Sequence, residues 1–366
     1  AVVNISTRGG GSTSNASSYI EGGSNNSRNI GANGLLTRGP WSLDASAERL
    51  DTDGENISRV GLERDGAELT SGSLGLRYTD DGALGFQGSL RGTDSTSAFD
   101  PTDFATGLPG DGDRITESRN VIAQLVGTLE THDGAVNWQA RTAYFDSEHN
   151  NFADGIENSS TASSRYTVTL QSDIALTDDR GLTLAIEREE TDFKQRGPVS
   201  FGDPNQDRSL TMQSAMAEYR HTADSGLSWM LSGRYDDYSD FGDVLTGRLS
   251  LSYALTGNTR LRGNIGTGQK TPTFIERFGF FADQFQGNPD LDPEQSVSFD
   301  VGIDQTFADG ALQLEATLYL QELEDEINGF VFLPALGVAT AQNLDNKSER
   351  KGVELAADWR ISDMLS

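Results

Sequence analysis

The residues best equipped for chemistry in this chain are oxygen donors and aromatic rings. Asp94, Asp100, Asp103, Asp111 and Asp113 fall in one short stretch. Calcium takes about six to eight oxygen ligands, carboxylates prominent among them, so this stretch could hold a calcium ion. A solvated acidic loop is the plainer alternative. The nearby run Asp51-Thr52-Asp53-Gly54-Glu55-Asn56 has the look of an EF-hand opening but fails on spacing. Asn56 stands where the loop glycine belongs and Leu62 where the bidentate glutamate belongs. The second group is aromatic: Phe274, Phe278, Phe280, Phe281 and Phe285 crowd one segment, and Phe330 and Phe332 lie in another. Exposed aromatic clusters suit a large, partly apolar ligand. Loop packing or an aromatic girdle at a membrane interface would use the same residues.

Catalysis has little to draw on. The three histidines, His132, His149 and His221, are far apart in sequence, cysteine is absent, and no local spacing suggests a triad or a histidine-based metal cluster. No enzymatic role is expected. A formal net charge of −28 argues against a nucleic-acid partner, whose phosphates would be repelled.

The elements that must position these residues are strands. From Leu245 to Leu255 the odd positions are apolar or glycine, while Thr246, Arg248, Ser250 and Ser252 stand between them. Successive side chains on a strand point to opposite faces, so one face is greasy and the other polar. Val297–Ile303, Val353–Trp359, Tyr166–Leu170 and Leu227–Leu231 repeat the design. Short polar turns recur near Arg38–Trp41, Thr79–Gly82, Thr131–Gly134, Thr177–Gly181, His221–Gly226, Leu255–Asn258, Phe307–Gly310 and Ile361–Met364. Longer connections are expected at Asp51–Gly66, Thr96–Glu117, Asn150–Ala162, Gly197–Asp207, Lys270–Gln295 and Glu326–Arg350.

This arrangement puts short turns at one end of an antiparallel sheet and long connections at the other, as in outer-membrane barrels. About 16 strands are expected, many near the 9–11 residues a tilted membrane strand needs. No run approaches the roughly 20 apolar residues of a membrane helix. The expected fold is therefore all-β, an antiparallel transmembrane β-barrel embedded in outer-membrane lipid. Two alternatives stay open: a passive porin, and a soluble β-rich binding protein such as a propeller, although no blade motif recurs. The first residues lack the basic region and apolar core of a signal peptide, so an exported chain would be processed or a fragment.

Three segments carry a family resemblance. Ala1-Val2-Val3-Asn4-Ile5-Ser6-Thr7-Arg8-Gly9 resembles the exit from a plug domain into a first barrel strand. Arg234–Gly242 is the second. The third runs from Gly266-Thr267-Gly268 to Asn288-Pro289-Asp290-Leu291-Asp292-Pro293-Glu294, followed later by Asn343 and Lys351-Gly352-Val353-Glu354-Leu355. In order and spacing these are similar to TonB-dependent outer-membrane receptors, most of all the cobalamin-receptor branch. The resemblance implies that residues 1–12 end a plug domain and 13–366 form a barrel supplying about 16 of the family's 22 strands. It also implies the outer membrane of a Gram-negative bacterium and TonB as a partner through a segment preceding this chain. The implied ligand is cobalamin or a ferric siderophore. No cofactor is required, though calcium could order the acidic loops. For Asn288, Pro289, Leu291, Pro293, Glu294, Gly352 and Glu354 the residues themselves favour loop and strand architecture over ligand contact, since Pro289 and Pro293 fix φ and end sheet pairing.

Overall fold

The computed structural model describes residues 13–360, apart from 59, 60, 62, 80, 81, 104, 105, 200, 201, 282 and 283. Sixteen long strands form one sheet, each hydrogen-bonded to its neighbours in chain order. They are β1 (Asn15–Gly22), β2 (Arg28–Arg38), β3 (Trp41–Thr52), β4 (Ala67–Thr79), β5 (Leu84–Phe99), β6 (Arg114–Thr131), β7 (Val136–Ala153) and β8 (Ile156–Thr177). The series continues with β9 (Arg180–Arg196), β10 (Gln206–Thr222), β11 (Leu227–Tyr238), β12 (Gly242–Thr256), β13 (Thr259–Lys270), β14 (Glu294–Phe307), β15 (Leu312–Glu324) and β16 (Ser348–Trp359). By compactness the chain divides into two units. One comprises Ala1–Thr131, Trp138–Leu170 and Glu189–Leu210, and the other His132–Asn137, Gln171–Arg188 and Thr211–Ser366. No helix among the described residues is long and apolar enough to cross a membrane.

Register turns the sequence alternation into two faces. In the second unit Trp229, Leu251, Gly263, Val301, Leu318 and Val353 stand in one row across six strands. One residue along, Ser228, Ser252, Arg262, Gly302, Thr317 and Glu354 form the matching polar row. The first unit repeats this, with Ala45, Leu74, Leu90 and Ala123 in line. A one-residue slip would exchange the faces, so the pattern excludes it.

The apolar face is not a core. Leu318 is 55% exposed, Val353 62% and Leu355 78%, and the buried apolar side chains among the described residues are only Phe193, Met212, Leu291, Leu323, Ala339 and Ala341. A water-soluble sheet would bury such rows against a second layer. Here hydrocarbon must be the solvent, which a sheet can enter only if its backbone groups are paired. The four tryptophans agree. Trp41 opens β3, Trp138 and Trp229 lie close to the starts of β7 and β11, and Trp359 ends β16, all at the short-turn end. Tryptophan gathers at the boundary between headgroups and hydrocarbon.

The polar face carries cross-strand charge pairs. Arg262 donates from Nε to Asp304 at 3.0 Å and from a terminal nitrogen to Thr317 at 2.6 Å. To do so it passes over Gly302, where a Cβ would come within 2.9 Å of the guanidinium carbon. Arg234 bridges Glu187 at 3.0 Å and Asp236 at 2.8 Å, and Ser214 completes the group. Ionic groups so arranged could not face lipid without large cost.

Two connections differ from expectation. Asn150–Ala162 is not a long loop: β7 and β8 run on to a two-residue turn, Asp154-Gly155, both at positive φ. The Asn and Ser residues that suggested a loop extend the hairpin, as in the hydrogen bonds of Asn151 with Thr116 and Ser159. The Thr96–Glu117 connection is shortened in the same way, because β5 reaches Phe99 and β6 starts at Arg114. A tight turn at 239–241, between β11 and β12, escaped the sequence reading. The segment Ala1–Gly9, the turn Ile361–Met364 and part of the turn Thr79–Gly82 lie outside the described residues.

Candidate functional site

The longest connections of the second unit, 271–293 and 325–347, follow β13 and β15 and so emerge at the same end of the sheet. After Pro272, Thr273 caps a short helix, Phe274–Phe278. Its hydroxyl accepts from the Glu276 amide at 3.2 Å, and the Glu276 carboxylate accepts from the Thr273 amide at 2.7 Å. This is a reciprocal capping box, readable as Thr-x-x-Glu in the sequence.

Beyond the helix the two connections join. Phe280–Phe281, Phe285–Gln286, Val338–Asn343 and Ile327–Leu333 form a small four-stranded sheet in that order. Phe285 pairs in parallel with Ala339, whose other cross-strand partner is Phe332. The two aromatic groups, separate in sequence, are thus in one element. Their exposure divides them: Phe274, Phe278, Phe280, Phe281 and Phe285 are half-buried and pack, whereas Phe330 is 72% and Phe332 60% exposed.

The proline-bearing motif is the stitching beneath this sheet. Leu291 is buried at 4% exposure. Asn288 donates to the Ala341 carbonyl at 3.1 Å and accepts from the Asp290 amide at 3.0 Å. Asn343 donates to the carbonyls of Asp292 at 2.9 Å and Asp325 at 2.7 Å, and accepts from the Asp292 amide at 3.0 Å. Glu294 accepts from the Ile327 amide at 2.9 Å and pairs with Lys270 at 3.0 Å. Pro289 and Pro293 have no amide hydrogen to place in this network. Gly352 lies in β16 under the ring of Tyr319, where a Cβ would approach to 2.7 Å, and Glu354 stands on the polar face opposite Thr317. These positions support an architectural role.

In the first unit, the acidic stretch contributes less than its length suggested, and a partner comes from elsewhere. Glu63, Asp100 and Asp111 each offer a carboxylate oxygen within 4.8 Å of the others. Asp100 is buried and accepts from the amides of Ser58 at 3.0 Å and Gly112 at 3.2 Å. Asp111 rests on Gly61, where any Cβ would collide with its carboxylate. Desolvation first, then the charges of Asp111, Asp100, Asp113 and Asp65, push the Glu63 carboxyl above the usual range. Asp94 lies apart, inside β5 between Thr70 and Arg119. The side chain of Asp103 is outside the described residues. Glu63 was missed because it sits in the preceding long connection, and no local spacing links it to Asp100. Of the histidines, His149 lies between the hydroxyls of Ser118 at 2.8 Å and Ser147 at 3.1 Å, and His221 pairs with Asp179 at 3.1 Å. Neither is in a metal cluster among the described residues.

A sequence model of the family described as "TonB dependent receptor-like, beta-barrel" matches residues 5–366. The chain is 26% identical over 248 residues to the vitamin B12 transporter BtuB of Vibrio vulnificus (strain YJ016), covering 66% of this chain and 38% of that protein. It therefore spans well under half of that relative's length. Among solved structures it superposes on the copper transporter OprC with a TM-score of 0.73 at 15% identity, covering 98% of this chain and 60% of that one. The siderophore receptor PirA from Acinetobacter baumannii gives 0.72 at 15% identity, with 95% and 60% covered. With a family match along almost its whole length, and a sheet built with one exposed apolar face and its long connections at one end, this chain belongs to the TonB-dependent receptor β-barrel family of the bacterial outer membrane.

Proposed function

We propose that this chain forms barrel wall and ligand-gathering surface of a receptor that imports a scarce ligand too large for porins, with energy delivered through TonB to a plug domain. Cobalamin is the first choice of ligand, supported by the curated relative, a vitamin B12 transporter. A ferric siderophore is the second, supported by the fold shared with a siderophore receptor. The observation that carries the reading is the joined aromatic sheet at the long-connection end, which offers Phe330 and Phe332 to a partly apolar ligand. Equilibrium dialysis of the intact protein in detergent against cyanocobalamin, and separately against ferric enterobactin, tests it. Saturable binding of one, weakened at least about tenfold by Phe330→Ala with Phe332→Ala, is the expected result, a loss of about 1.4 kcal/mol. Binding of neither, with steady ion conductance in a planar bilayer, would favour a passive porin instead.

We also propose that calcium orders the connections holding Glu63, Asp100 and Asp111. Three carboxylates are fewer than calcium's usual ligand number, so backbone or water oxygens would complete the shell. Desolvation and the neighbouring carboxylates let Glu63 hold a proton more readily in the folded chain than in the unfolded one. That contribution to local order is present below the ordinary carboxylate range and is lost as pH rises through the folded value. Calcium takes the ionised carboxylate, so binding measured by calorimetry should strengthen with rising pH through that range. Glu63→Gln should flatten the dependence; an unchanged slope in the variant would remove Glu63 from the site.

A further inference from the structure

The ties between the two long connections of the second unit reach the neighbouring 239–241 turn through one arginine. Arg277 sits in the last turn of the helix Phe274–Phe278, with its side chain only 13% exposed. One terminal nitrogen donates to Asp240 at 2.9 Å, and the other reaches the Pro289 carbonyl at 3.4 Å. Its guanidinium lies 4.5 Å from the ring centre of Phe241 and 4.6 Å from that of Phe278. Asp240 and Phe241 belong to the tight 239–241 turn that joins β11 to β12. That turn is short and held at both ends by strands, so it is a fixed post. The helix, by contrast, is a five-residue element that would not persist alone.

From Arg277 the linkage runs on without a break. The Glu276 carbonyl accepts the Asn288 amide at 2.8 Å, and the Gly279 carbonyl accepts the Gly287 amide at 2.7 Å. Gly287 lies so close that a Cβ would fall 2.6 Å from the backbone of Arg277 and Phe278. Asn288 then reaches Ala341, and Asn343 reaches back to Asp292. The exposed rings of Phe330 and Phe332 are carried on the strand paired with Val338–Asn343.

We propose that Arg277 is a positioning residue for ligand capture: it anchors connections 271–293 and 325–347 to the 239–241 turn, so that both hold the aromatic surface as one cooperative body. The ligand role rests on the reading given above, but the mechanical claim can be tested without ligand. Arginine suits the post because a planar guanidinium can lie over a ring and donate in its own plane at once, which an ammonium cannot.

Hydrogen exchange of the intact protein in detergent, with no ligand added, is the test. Arg277→Ala should raise exchange at least about fivefold in 271–281 and equally in 327–343, although the hydrogen bonds of the substituted side chain go to Asp240 and Pro289. Combining Arg277→Glu with Asp240→Lys, which rebuilds the ion pair in reverse, should restore part of the protection in both. Adding Asn288→Ala and Asn343→Ala together, which removes both side-chain ties, should weaken the coupling, so that Arg277→Ala then affects 271–281 beyond the effect of that pair alone, and 327–343 little further. Faster exchange confined to 271–281 with Asn288 and Asn343 intact, or no change in either segment, would overturn the proposal whether or not any ligand binds. An intact coupling with no binding of cyanocobalamin or ferric enterobactin would instead count against the ligand reading alone.

Discussion

Leu251→Arg and Leu318→Arg should each cost about 2–4 kcal/mol of folding stability in lipid vesicles, while Ser298→Arg should cost under about 1 kcal/mol. Leu251 and Leu318 stand in the same exposed apolar row, whereas Ser298 lies on the opposite, polar face. In water none of the three would be costly, because all are solvent-accessible and an exposed arginine is well hydrated. The penalty arises only if hydrocarbon covers the first two. Urea titration of the refolded protein in vesicles measures it. Equal tolerance at the three positions would mean that both faces of the sheet meet the same solvent.

Leu291→Ala carries the second large effect, about 2–5 kcal/mol taken from the connections rather than from the strands. Leu291 is among the few apolar side chains buried at all, and it lies at the centre of the motif that Asn288, Asn343 and Glu294 surround. Truncating a side chain buried this fully forfeits its burial and leaves a cavity. Limited proteolysis of the two connections should accelerate by more than an order of magnitude, with the strands still resistant. Cleavage at the wild-type rate would show that the motif bears no load, and the architectural role assigned to it would fall.

How much of this was legible in the sequence differs between strands and connections. The alternation at Leu245–Leu255 fixes the faces and excludes any one-residue slip of register, because a period of two admits only one apolar side. The strand count of the main sheet and the short turns follow from that pattern, and sixteen strands form that sheet among the described residues. Composition misled where strands outrun the lipid. Asn150, Asn151, Ser159 and Ser160 have the composition of a loop, yet they continue a hairpin whose upper part is simply wet. The aromatic groups were visible as two clusters, but their union through Phe285 and Ala339 depends on a single parallel pairing between distant segments. Nothing local encodes such a contact. The same holds for Glu63, whose closeness to Asp100 and Asp111 arises because neighbouring hairpins bring their connections to one end. Arg277 was invisible for a further reason: its partners, Asp240 and Phe241, lie in a turn that the polar spacing did not reveal.

Lipid cover on the apolar face is directly measurable, because the sequence holds no cysteine. Single cysteines placed in turn at positions 314 to 321 of β15, spin-labelled and reconstituted in vesicles, should alternate. Labels at 314, 316, 318 and 320 should collide with dissolved oxygen, and those at 315, 317, 319 and 321 with a water-soluble nickel chelate. Nickel access at every position, or oxygen access on the face of Thr317 and Tyr319, would contradict the assignment of this sheet to a membrane wall.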